Sequence, residues 1–156
     1  MTILLALDPG GTPTAANSRS ATGWSTWHYD AFTPLLPIDH GQVPGNQTRF
    51  KAWFREFLRT NEIDEIVCES FNLDGRTMYP DVTPLKIEGV IEGLWEGPLY
   101  FQPNTQKSHM RDDRIKDLGL WWKGQGHAID SLRHAYALQK VRKHHPTILQ
   151  AWPRRG

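Results

Sequence analysis

One cysteine, Cys68, is all that this sequence of 156 residues contains. A lone thiol forms no internal disulfide, and it cannot build a cysteine-rich zinc or iron–sulfur centre. The pattern fits a reducing compartment, and because Cys68 lies inside an apolar run, an inert buried thiol is expected rather than a nucleophile. No stretch approaches the roughly 18 apolar residues of a membrane span, and the opening Met1-Thr2-Ile3 lacks the basic segment and cleavage site of a secretion signal. Cytoplasmic localisation without membrane partners is therefore expected. A Walker-type phosphate loop is excluded too, because Asp8-Pro9-Gly10-Gly11-Thr12 lacks the Gly-Lys-Ser/Thr ending.

Net charge is also nearly absent, at +1, but the balance conceals an asymmetry. Residues 1–100 carry 7 Lys/Arg against 13 Asp/Glu, whereas residues 101–156 carry 11 against 4. A basic second half suits a polyanionic partner, and a solvated charged face accounts for it equally well. Seven tryptophans fit either core packing or base stacking. The length suits one domain, expected over residues 1–146, with a flexible tail over 147–156.

Two apolar runs organise the chain. Thr2-Ile3-Leu4-Leu5-Ala6-Leu7 reads as a buried central strand and ends in Asp8, where Pro9 and the glycines force an exit. Ile63 to Glu69 reads as a second central strand that also ends in a carboxylate. If the two strands are parallel neighbours, Asp8 and Glu69 open into one crevice, the usual place for sites in open α/β sheets. Between them, Thr22 to Tyr29 has the β-branched and aromatic content of a strand, and residues 35–43 form a weaker edge strand interrupted by Pro37. Residues 12–20 and 70–80 read as loops.

Asn46-Gln47-Thr48 is placed to cap a helix from Arg49 to Arg59, with Phe50, Trp53, Phe54, Phe57 and Leu58 on one face. Thr83-Pro84 is a helix start, and the segment to Trp95 carries Gly89 and Gly93, a spacing that permits close approach of a neighbour. Leu99-Tyr100-Phe101 is a short strand. Residues 102–126 hold a short helix near Pro103–Lys107 and the stretch Trp121-Trp122-Lys123-Gly124, which suits substrate contact or packing equally. The last long helix runs from His127 to about Lys143, and Pro146 stops it.

His127 and Asp130 project from one face of that helix, three residues apart. A helix cap explains such a pair. Combined with Asp8 and Glu69, however, it makes a set of oxygen donors with one imidazole, chemistry suited to magnesium or manganese. Two such ions activate a water, hold a phosphate and stabilise the leaving oxygen.

Leu5-Ala6-Leu7-Asp8-Pro9-Gly10, Thr22-Gly23-Trp24, Ile66-Val67-Cys68-Glu69-Ser70 and His127-Ala128-Ile129-Asp130-Ser131-Leu132-Arg133-His134-Ala135 together resemble RuvC-type Holliday-junction resolvases. The likeness is to the compact phage-encoded branch, within the RNase H-like superfamily. It implies an α/β fold with a five-stranded mixed sheet flanked by helices, and a metal-dependent endonuclease that hydrolyses phosphodiesters at Holliday junctions or other branched DNA. By the same likeness Asp8, Glu69, His127 and Asp130 are the catalytic and metal-binding residues. Two Mg2+ ions serve each site and Mn2+ substitutes. The resemblance further implies a role in recombination and repair, action as a homodimer, and the cytoplasm of a phage-infected bacterial host as the place of action. Lys107, Arg111, Arg114, Lys123, Arg133 and His134 are candidate DNA contacts, with support of a metal ligand the alternative for His134. The other readings are a nuclease of the same fold acting on RNA–DNA hybrid, and a branched-DNA-binding protein without turnover.

Overall fold

The alternation of side chains along a strand decides what meets what in this fold. A computed structural model describes residues 1–11, 20–72, 75 and 80–154. Most of the expected 12–20 loop, and much of the 70–80 loop, lie outside the described residues. Strand β1 (Thr2–Asp8) pairs antiparallel with β2 (Ala21–Tyr29), which pairs antiparallel with β3 (Leu36–Pro44). On its other edge β1 pairs parallel with β4 (Glu65–Glu69), and β4 pairs parallel with β5 (Leu99–Gln102). The order is β3-β2-β1-β4-β5, the mixed five-stranded sheet of the RNase H-like architecture.

Because β1 is covered on both faces, its apolar run is continuous rather than alternating. Leu5 and Leu7, with Ile66 and Cys68 of β4, pack beneath Phe50 and Phe54 of helix α1 (Gln47–Thr60) and Ile87 and Ile91 of α2 (Thr83–Leu94). Leu4, Ala6 and Val67 face the opposite way, toward Ile129, Leu132 and Tyr136 of α4 (Gly126–Val141) and Ile115 of α3 (Asp112–Asp117). Continuing that parity, Asp8 and Glu69 fall on the α4 side of the sheet. Cys68 has no exposed surface, and burial pushes its thiol up, which suits an inert packing role.

Local chemistry explains the boundaries. Asn46 caps α1 by accepting from the N–H groups of Thr48 and Arg49. Pro37 is tolerated because β3 is an edge, and a bulge opposite Thr26–Trp27 absorbs it. Helix α2 begins at Thr83, whose N–H donates to Asp81 Oδ1. A 3₁₀ helix, Asn104–His109, stands where the short helix near 103–107 is expected.

Two expectations are corrected. Residues 147–151 do not belong to a loose tail, since α5 (His145–Ala151) buries Thr147 and Ala151, and Thr147 Oγ1 accepts from the N–H of Leu35. Pro146 ends nothing here; it sits in the first turn of α5, where a missing N–H costs least. Gly89 and Gly93 face open space: among the described residues, a Cβ at either position would meet nothing within 4 Å.

A polar cluster fastens the far end of the sheet. Arg142 donates from Nη1 and Nη2 to the two oxygens of Glu65, each at 2.9 Å, and from Nη2 to the Tyr29 hydroxyl at 2.8 Å. Tyr29 in turn donates to Glu65. Burial, and then the hydrogen bond to Glu65, raise the Tyr29 hydroxyl from 10.0 to about 12, against the pull of Arg142. An unfolded tyrosine ionises near pH 10, so this contribution is complete below that pH and disappears as pH rises to about 12. The midpoint of urea unfolding is expected to fall between pH 10 and 12, and Tyr29→Phe to flatten that fall. An equal decline in both proteins would rule the cluster out as its cause.

Candidate active site

Parallel pairing of β1 with β4 aligns Leu7 with Cys68, so the next residue on each strand is a carboxylate, Asp8 beside Glu69. Asp8 is only 5% exposed and shares a hydrogen bond with Glu69. Helix α4 brings Asp130 to the same mouth, close enough for its charge to act on Asp8. Three carboxylates from three elements thus crowd one edge.

The helix is held there by groups far away in sequence. Its N-cap residue, Gln125, makes no side-chain cap; instead Gln42 of β3 accepts from the N–H groups of His127 at 2.9 Å and Ala128 at 3.4 Å. Deeper in, Ser131 and Ser25 share a buried hydrogen bond of 2.8 Å, and Trp27 Nε1 donates to Ser25 over the same distance. At Gly23, opposite Asp8 on β2, the helix backbone comes so close that a Cβ would lie 1.8 Å from the His127 carbonyl oxygen.

Positive charge sits among the acids. Lys107, on the 3₁₀ helix, places Nζ 3.2 Å from Glu69 Oε1 and 3.5 Å from Asp130 Oδ2. Arg133 lies 3.3 Å from Asp130 and 2.5 Å from Asp112. His134 has no exposed surface, and its Nε2 is 3.3 Å from Glu69 Oε1.

Burial raises the Asp8 carboxyl well above its usual range, and the hydrogen bond and charge of Glu69 and the charge of Asp130 push it further. Lys107 pulls only weakly the other way. For Glu69 burial also acts upward, but His134, the Asp8 carboxyl and Lys107 outweigh it and hold the group low. Burial would lower Lys107, yet the three carboxylates raise it, so its ammonium is retained.

The donor chemistry suits a hard divalent cation, since the crowded groups are carboxylates and Glu69 Oε1 is buried without a well-directed hydrogen bond. They are not set out as a finished ligand shell, however. Among the described residues no three His, Cys, Asp or Glu side chains form a ready metal cluster, and Lys107 stands between two of the acids.

The structure brings Asp8, Glu69 and Asp130 together. His127, in the first turn of α4, lies three residues before Asp130 and shares a cavity with it, lined also by Gln42, Trp121 and Trp122. The candidate DNA contacts divide. Arg111 and Lys123 are exposed. Arg114 donates to the Ala151 carbonyl at 3.1 Å, and Arg133 is engaged by Asp112, Asp130 and the Met110 carbonyl. His134 is corrected as a DNA contact, because no part of it reaches the surface; it stands behind Glu69. Sequence reasoning missed Gln42, and no local signal marks it, because it caps a helix 85 residues away. It also missed the pairing of Lys107 with the acids.

No family model matches the sequence, and no curated protein matches it. Solved structures do. The RuvC of Thermus thermophilus in complex with a Holliday junction substrate superposes with a TM-score of 0.67 at 14% identity, covering 94% of this chain and 98% of that one. The fold is that of the RuvC resolvases. A fowlpox virus resolvase, solved with Holliday junction DNA, gives a TM-score of 0.61 at 12% identity, with coverage of 90% and 99%. Identities this low establish a shared RuvC-like fold rather than a shared activity.

Among the described residues, no helix is long and apolar enough to cross a membrane.

Proposed function

We propose that this protein is a divalent-metal-dependent endonuclease that hydrolyses phosphodiester bonds at four-way junctions or other branched DNA. The observation that carries the reading is the convergence of Asp8, Glu69 and Asp130 at the mouth of a RuvC-like sheet. The fold's presence in two proteins solved with Holliday junction DNA supports the substrate class, and the basic second half of the chain supports a polyanionic partner.

Asp8, Glu69 and Asp130, with His127 at the rim, would hold magnesium, or manganese in its place. Bound there, a pair of such ions supplies an activated water and neutralises the leaving oxygen. The chain's own residues do the rest. Asp8 and Glu69 are fixed by neighbouring strands and need no reorganisation to act together. His134 braces Glu69 from behind. Lys107 neutralises the acids while no ion is bound, and once relieved of that duty its ammonium is placed to meet a phosphate. Action as a homodimer would pair two such sites for paired nicks across a junction.

Lys107→Met is expected to cost the metal-free protein roughly 1–3 kcal/mol, the range for removing a partly buried charged hydrogen-bond donor. Magnesium should then raise the melting temperature of the variant more than that of the wild type, because the ion replaces the missing charge. Equal magnesium shifts in the two proteins would separate Lys107 from the metal site.

The activity itself is tested by offering an immobile four-way junction, a linear duplex and an RNA–DNA hybrid, each with magnesium, manganese or chelator. Metal-dependent nicking that favours the junction is expected. Preference for the hybrid would move the function to RNase H chemistry, and tight junction binding without nicking would leave a binding protein.

A further inference from the structure

The tryptophan pair before α4 divides into two roles. Trp122 is a packing residue: its ring stacks on His40 at 3.8 Å and 6° and lies 6.1 Å from Trp27 within the core. Trp121, its neighbour, is 40% exposed, with the Lys116 ammonium 4.5 Å over the ring. Both line a cavity of about 540 Å³ whose other walls include Gln42, His127, Asp130 and Arg133. The exposed ring therefore opens into the same space as two of the candidate active-site residues.

We propose that this cavity is a subsite for one unpaired nucleobase of the bound DNA, stacked on Trp121 beside the scissile position. The inference rests on the branched-DNA reading above and adds to it a place where a base is recognised. A flat aromatic surface matches the face of any base, and such stacking is sequence-tolerant because every base presents a π-face. The surroundings match a nucleotide rather than a plain apolar group. Lys116 covers one face of the ring, so the base would take the opposite face, and exposed Lys123 follows two residues later as a cation for the adjoining phosphate. Arg133 is committed to Asp112 and Asp130 and shapes the wall instead. The gap needed for a planar guest is framed by Gly124 and Gly126, where an added Cβ would meet nothing within 4 Å. Bases in an intact duplex are stacked on one another and cannot enter; a branch point releases them.

The test uses the full-length protein and a four-way junction with 2-aminopurine next to the branch point, with calcium in place of magnesium so that binding is read apart from cutting. Wild type is expected to quench the 2-aminopurine. Trp121→Ala should lose that quenching and weaken junction binding about 5- to 150-fold, the equivalent of ~1–3 kcal/mol for one stacked base. Trp121→Phe should keep most of both, and melting temperatures of the variants check that the fold is intact. Linear duplex should bind all three proteins alike. Two results overturn the subsite alone: Trp121→Ala matching wild type on the junction, or losing as much affinity for duplex as for junction. If wild type binds no branched DNA, the functional reading falls and the subsite falls with it.

Discussion

Asp8→Asn is expected to abolish metal-dependent nicking while leaving junction binding intact or tighter. Removing one carboxylate ligand forfeits several kcal/mol of charge stabilisation in the transition state. At about 1.4 kcal/mol per factor of ten, that is a loss on the order of a thousandfold. The same change should not harm the fold. Asp8 is buried against Glu69 and within reach of the charge of Asp130, so a neutral amide of the same shape relieves repulsion. It also removes one negative charge facing the phosphate. The variant should therefore melt at or above the wild-type temperature in chelator and bind a junction at least as well. Wild-type nicking rates in Asp8→Asn would remove the three-carboxylate site from the mechanism, and lost nicking accompanied by lost folding would leave its role in metal binding unsupported.

Gly23→Ala is expected to be strongly damaging for a change of a single methyl group. The added Cβ would stand 1.8 Å from the His127 carbonyl oxygen, 2.0 Å from its carbon and 2.5 Å from the Ala128 nitrogen. These are backbone atoms, which no rotamer change can move aside. Overpacking typically costs roughly 1–3 kcal/mol, and with only backbone to displace the upper end or more is expected here. The consequence for the site is separate from stability. Gly23 pairs with Asp8, so lifting the start of α4 off β2 draws His127 and Asp130 away from the strand that carries Asp8. Nicking should fall even at temperatures where the variant is fully folded. Gly89→Ala is the contrasting control: it sits in a helix with nothing within 4 Å, and should gain up to about 1 kcal/mol. Paired urea melts and junction nicking assays read both effects. Equal stability of Gly23→Ala and wild type would contradict the close approach of helix to strand.

Much of this arrangement is legible in the residues because it depends on local patterns. The run Leu4 to Leu7 announces a strand covered on both faces, and Asp8 and Glu69 announce themselves as charges at the ends of such strands. The fold class follows from those runs and the helices between them. What the residues cannot display is pairing. Only the parallel register of β1 with β4 turns two strand-end carboxylates into neighbours on the α4 side. Gln42 looks like any edge-strand amide until β3 lies beside the start of α4. Helical spacing places His127, Asp130 and His134 along one side of α4, but not how much of that side the sheet covers. His134 is hidden against Glu69 whereas Asp130 is two-thirds buried. Trp121 and Trp122 are indistinguishable in sequence, yet Trp122 packs against Trp27 and His40 while Trp121 is 40% exposed. Pro146 reads as a stop, and only the burial of Thr147 and Ala151 reveals that it starts a helix instead.

In the proposed mechanism Asp8, Glu69 and Asp130 hold a divalent cation and Lys107 withdraws to admit it. A crystal structure of the protein grown with manganese and a junction, with anomalous diffraction recorded for the metal, tests this most directly. Anomalous density is expected in contact with Asp8 and Glu69, with the Lys107 ammonium turned away from both Glu69 and Asp130. Manganese bound elsewhere, with Lys107 still bridging those two acids, would contradict it.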